Sequence, residues 1–136
     1  MKKIAGCAIL MMLVACATDR PARVGSDRDA HGCIGSAGYT YSPMRHQCVR
    51  IWEEGVALLS VEEKGPYTSA VFVLDSDKHD RKELFLDMGK SPVILTSKKA
   101  DVPTWQDSAN KWKLTQGTEG WQLLEKGTLR YRSAAH

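Results

Sequence analysis

The sequence predicts a mainly β fold: a small antiparallel barrel or sandwich with an N-terminal hairpin pinned by a disulfide. Three observations lead there. Apolar or β-branched runs recur at residues 56–61, 67–74, 83–86, 93–96, 111–115, 121–124 and 128–132, separated by clusters such as Lys64-Gly65-Pro66, Asp87-Met88-Gly89-Lys90 and Lys126-Gly127 that accept turn geometry. Short strands at this spacing are the pattern of antiparallel sandwiches and small barrels. Near the C-terminus the apolar residues alternate with period two, so that Trp112 and Leu114 share one face, Trp121 and Leu123 another, and Leu129 and Tyr131 a third. Cys33 and Cys48 bracket a segment containing Gly35, Gly38, Ser42 and Pro43, a loop between two short strands, Gly38-Tyr39-Thr40-Tyr41 and Gln47-Cys48-Val49-Arg50-Ile51.

From its N-terminus the chain opens with an address. Lys2 and Lys3 form a positive head, residues 4–15 an uncharged, mostly apolar run, and Cys16 follows, the pattern of a signal peptide. A helix crossing a bilayer needs about 20 apolar residues, so this run is short for a permanent span. Leu13-Val14-Ala15-Cys16 resembles the lipobox of bacterial lipoproteins. That resemblance implies removal of residues 1–15, a diacylglycerol on the Cys16 thiol and a further acyl chain on its freed amine, an anchor that holds where one chain is marginal. Ala17 stands where an Asp would retain such a protein in the inner membrane, which implies the outer membrane. Residues 16–30 are polar, charged or small except Val24, a lipidated tether with a flexible reach of about 20 Å.

Residues 31–136 form a single β domain. A net charge of +3 with 26% charged residues excludes both a disordered polyelectrolyte and a strongly basic nucleic-acid binder. Removing the leader takes Lys2 and Lys3 with it. Beside Cys16 only Cys33 and Cys48 survive maturation, and thiols oxidise after export, so these two pair. Closing such a loop stabilises by roughly 3 kcal/mol in the chain-entropy model. A helix is expected only locally, over residues 53–59, and Gly55 and Val56 weaken it. Residues 97–110 read as a polar connection, because Asp101, Pro103, Asp107 and Asn110 discourage a strand.

No catalytic constellation emerges from these residues. In Gly35-Ser36-Ala37-Gly38 the glycine that a nucleophile elbow needs two places before its serine is replaced by Ile34, so the segment reads as a turn. Asp27, Asp29 and His31 alternate but lack the stiff frame and further ligands of a metal site. Residues 75–80 begin like a calcium loop, yet Asp80 stands where that loop has glycine and Leu86 where it has glutamate. His31, His46, His79 and His136 are scattered, and adjacent Glu53/Glu54 and Glu62/Glu63 point to opposite faces of a strand. The expectation is a protein without enzymatic activity, metal or cofactor. Its tryptophans and tyrosines are expected mainly in the core, with Trp105, among polar neighbours, exposed as a binding anchor.

The segment from His31 to Tyr41, with Cys48-Val49-Arg50, Gly120-Trp121-Gln122-Leu123-Leu124 and Lys126-Gly127-Thr128-Leu129-Arg130-Tyr131, resembles a family of small bacterial lipoproteins to which no activity is attached. A weaker likeness is to membrane-bound inhibitors of c-type lysozyme, which are small lipid-anchored β-barrels. Those present a serine near a small-residue turn and a lysine; Asp107-Ser108-Ala109-Asn110-Lys111 is the corresponding segment, without the flanking glycine and tyrosine. The expected partners are thus the membrane, through the lipid, and an envelope protein or wall-degrading enzyme contacted by Trp105, Ser108 and Lys111.

Overall fold

The computed structural model describes residues 27–62, 68–97 and 103–134. The leader, Cys16 and residues 17–26 lie outside them. After a 3-10 turn at Gly35–Ala37 come the hairpin strands β1 (Thr40–Ser42) and β2 (Gln47–Val49) and a single helical turn, α1 (Ile51–Glu54). Then follow β3 (Val56–Ser60), β4 (Ala70–Asp75), β5 (Arg81–Phe85), β6 (Val93–Ser97), β7 (Thr104–Gln106), β8 (Trp112–Gly117), β9 (Gly120–Glu125) and β10 (Thr128–Ser133). Strands β3 to β10 close into an antiparallel barrel in which each pairs with the next. β10 returns to β3 through Tyr131↔Ser60, Arg132↔Leu59 and Ser133↔Leu58.

The seven runs read from the sequence supply all the barrel strands but β7. Trp105 pairs with Ser97 on β6 and Leu114 on β8, so a triplet inside the expected polar connection bridges two longer strands. At that length its partners decide the strand more than its own composition does. The helix expected over residues 53–59 stops at Glu54. Gly55 turns extended, with its amide bonded to the Ile51 carbonyl, whose oxygen lies 2.6 Å from where a Cβ would stand, and Val56 then opens β3 opposite Val73.

Register decides which side chains share a face. Leu58, Val71, Val73, Leu84, Leu95, Trp105, Trp112, Leu114 and Leu123 fill the bore, with Trp121 and Tyr131 packed against them. The barrel strands have 3 to 6 residues, against about nine to eleven for a strand crossing a bilayer. Leu129 lies opposite Leu124 and Tyr131 opposite Leu123, so a bulge at Arg130 sends the two to different faces. That corrects the single face expected for Leu129 and Tyr131.

A second core lies outside the bore. Val49, Ile51, Leu74 and Phe85, with Phe72 against them, pack the hairpin and α1 onto the outer face of β4 and β5. Because β4 is covered on both faces, Val71-Phe72-Val73-Leu74 is continuously apolar, whereas β8, with one wet face, alternates. Cys33 and Cys48 are disulfide-bonded, as expected. Asp27–Ala30, counted with the tether above, join this body through the Arg28↔Ile34 bridge and the Asp29 amide bond to the Cys33 carbonyl. Glu83, 0% exposed on the outer face of β5, accepts hydrogen bonds from the Ser42 hydroxyl at 2.6 Å and the Met44 amide at 2.8 Å. Arg45 adds a donor to the Asp75 carbonyl at 3.1 Å and an ion pair with Glu54 at 2.5 Å.

The two-faced burial of β4 is tested by a pair of truncations. Leu74→Ala, outside the bore, is expected to cost about 2–5 kcal/mol in denaturant unfolding. Leu59→Ala, on the exposed outer face of β3, is expected to cost less than about 1 kcal/mol.

Candidate functional site

Trp105, Ser108 and Lys111 do not come together. Trp105 is 7% exposed and points into the bore, which overturns the expectation that it is a surface anchor. Its polar neighbours Thr104 and Gln106 take the opposite face of the strand, so period-two alternation sends the indole inward. The indole Nε1 donates to the His79 carbonyl at 3.2 Å, at the end of the barrel where β4 turns into β5. Ser108 and Lys111 stand exposed in the β7–β8 connection at the other end. The Lys111 ammonium lies 3.3 Å from Glu125 and 5.3 Å over the Trp112 ring.

Trp105 serves a buried cation instead. The Lys82 side chain, 4% exposed, places Nζ 4.5 Å from the Trp105 ring centroid, 5.2 Å from that of Trp121 and 2.6 Å from Asp75 Oδ2. His79 Nδ1 shares that oxygen at 2.5 Å, while Asp75 Oδ1 is buried with no hydrogen-bond partner among the described residues. A desolvated cation over aromatic faces gains about 2 kcal/mol, which with the carboxylate offsets part of the cost of burial. The sequence carried one signal for this plug: Lys82 stands two residues before Leu84 and so shares its inward face, provided β5 starts before Glu83.

The remaining motifs are engaged locally. Ser36 Oγ donates to Asp27 at 2.6 Å, and the Ser36 amide donates to the same carboxylate at 2.7 Å. Those bonds hold the Asp27 carboxyl below its ordinary range, which makes it a weak base for the Ser36 hydroxyl. Asp29 Oδ1 accepts the amides of His31 and Cys33. Residues 75–80 form the β4–β5 turn, where Ser76 Oγ bonds Asp80 and Asp75 is engaged by Lys82. Among the described residues, no three metal-ligating side chains converge.

The surface that does gather aromatic side chains is the outer face of the hairpin. Thr40 and Ser42 take the buried face of β1, so Tyr39 and Tyr41 point the other way. Tyr39 is 36% exposed with the Arg50 guanidinium 4.7 Å over its ring, and the ring of His31 stacks on Tyr41 at 3.7 Å with planes 6° apart. Trp52, 46% exposed, rests on Gly38, whose φ of 82° and missing side chain make the seat; any Cβ there would overlap the indole. A groove of about 720 Å³ runs between the hairpin and residues 88–92, lined by His31, Tyr39 and Tyr41 and by Asp27, Asp29 and Lys90. Another groove, of about 800 Å³ beside Leu59, Leu129 and Arg132, has no aromatic lining. Neither Trp52 nor the groove is legible in the sequence, because the Gly38 seat joins segments that only the folded hairpin brings together.

No protein-family model matches the chain, and no curated protein or solved structure does either. The site is defined by its own geometry.

Asp75 supplies a test of the buried plug. Burial pushes its carboxyl upward, but the hydrogen bonds and charges of Lys82 and His79 outweigh this and leave it below its ordinary value of 3.8. A carboxyl lowered by folding stabilises the protein fully above its unfolded pKa, and that stabilisation is lost as pH falls through the folded pKa. Unfolding midpoints of the wild type are therefore expected to fall with acidification below about pH 4. The slope should be shallower in Asp75→Asn; equal slopes would remove Asp75 from the account.

Proposed function

We propose that the chain is a non-catalytic, lipid-anchored binding module of the bacterial cell envelope, tied to the outer membrane through Cys16 and meeting its partner with the aromatic face of the disulfide hairpin. The observation that carries this reading is Trp52, nearly half exposed yet seated on Gly38. A surface aromatic that is already immobilised loses little conformational freedom on contact, which is what an anchor residue requires. The hairpin is also the first part of the folded body after the tether.

A second reading, an inhibitor of a wall-degrading enzyme, draws on the exposure of Ser108 and Lys111 in the β7–β8 connection. The two readings use different residues. Full-length chains bearing Trp52→Ala, Tyr39→Ala, Ser108→Ala or Lys111→Ala, expressed in the envelope and crosslinked, tell them apart. The binding reading expects one envelope component recovered reproducibly with the wild type, reduced at least tenfold by Trp52→Ala and Tyr39→Ala, and retained by the other two. It also expects Cys16→Ser to leave the membrane fraction. Recovery unaffected by Trp52→Ala contradicts it, and slowed lysis of a cell-wall suspension that is relieved by Ser108→Ala and Lys111→Ala favours the inhibitor.

A further inference from the structure

Charge and shape in the hairpin groove discriminate among the polymers of an envelope. Asp27 and Asp29 stand against Arg28 and Lys90, and Lys90 is itself paired with Asp87 at 2.7 Å. Such a lining has no surplus positive charge with which to hold a polyanion, whose binding depends on many unmatched lysines and arginines. What it does offer is donors and acceptors on either side of exposed rings. Tyr39, just before β1, and Tyr41 on it, which carries the His31 ring, are two residues apart, and Arg50 covers one face of the Tyr39 ring. Trp52, against Gly38, continues the aromatic surface beyond the groove. Flat rings of this kind pack against the C–H faces of sugar rings, while hydroxyl and acetamido groups take the neighbouring carboxylates and cations. The groove is open to solvent rather than an enclosed cavity.

We propose that the hairpin groove, with the Tyr39 ring, the His31–Tyr41 stack and Trp52, binds a glycan strand of β-linked N-acetylated hexosamines. The proposal rests on the contact face assigned above and names its ligand.

The test uses the full-length chain in detergent with three probes: protein-free peptidoglycan sacculi, insoluble chitin, which carries the same kind of sugar without stem peptides or charge, and chitotetraose. Expected are co-sedimentation with both sacculi and chitin, and a measurable heat of binding with chitotetraose. Tyr39→Ala and Trp52→Ala should weaken each by at least tenfold, while Tyr39→Phe, which keeps the ring, and Lys111→Ala should not. Unchanged thermal midpoints show that the variants fold. Sedimentation with sacculi but not with chitin, and no binding of chitotetraose, makes the stem peptide the ligand and overturns the proposal. Absence of binding to every glycan probe, while crosslinking of an envelope protein still depends on Trp52 and Tyr39, overturns the glycan and leaves the binding module standing. If neither glycan binding nor crosslinking depends on these rings, both readings fall. Binding to chitotetraose but not to sacculi keeps the sugar chemistry and points to a glycan other than the wall.

Discussion

The hydrogen bonds to Glu83 are the constraint on which the rest of the structure depends. A carboxyl fully withdrawn from solvent must be satisfied where it lies, and on the outer face of β5 only the hairpin can do so, through Ser42 and Met44. Glu83 thus makes the hairpin obligatory for β5, as Leu74 and Phe85 make it obligatory for β4. These interactions cooperate: the apolar contacts bring the hairpin down, and the carboxyl sets its position along the strands. Misplacement by one residue would bury an unsatisfied acid.

The candidate site inherits its rigidity from that docking. Thr40 and Ser42 face the barrel, so Tyr39 and Tyr41 must face away, and the disulfide holds the preceding segment where His31 can stack on Tyr41. α1 leaves the hairpin at Arg50 and is cut short by Gly55, which places Trp52 back over Gly38. Each ring is therefore fixed by something beneath it rather than by the ligand it would meet. The bore contributes differently: Lys82, over Trp105 and Trp121, fills it with the chain's own cation.

Much of the fold was legible in the sequence, because strands one face of which is wet announce themselves by alternation, as Trp112 and Leu114 do on β8. The disulfide followed from counting the cysteines that remain once residues 1–15 are read as an export signal. Three features were not legible, each for a physical reason. β7 is only a triplet, and its identity lies in Ser97 and Leu114 rather than in itself. The bulge at Arg130 shifts register without any glycine to mark it. The exchange of roles between Trp105 and Trp52, one expected outside and found in the bore, the other half exposed, turned on neighbours distant in sequence: Lys82 and Gly38 respectively. Polar flanking residues, the signal that favoured Trp105, lie on the opposite face of a strand and say nothing of where its own side chain points.

Native-state amide hydrogen exchange on the wild type and Glu83→Ala tests the central claim most directly, because it reads the hairpin and the barrel separately. If Glu83 clasps the hairpin, the β1 and β2 amides should exchange at least tenfold faster in the variant while those of β8 and β9 change much less. Parallel acceleration of all these amides, or hairpin protection that is unaltered, would contradict it and leave the second core alone to hold the aromatic face in place.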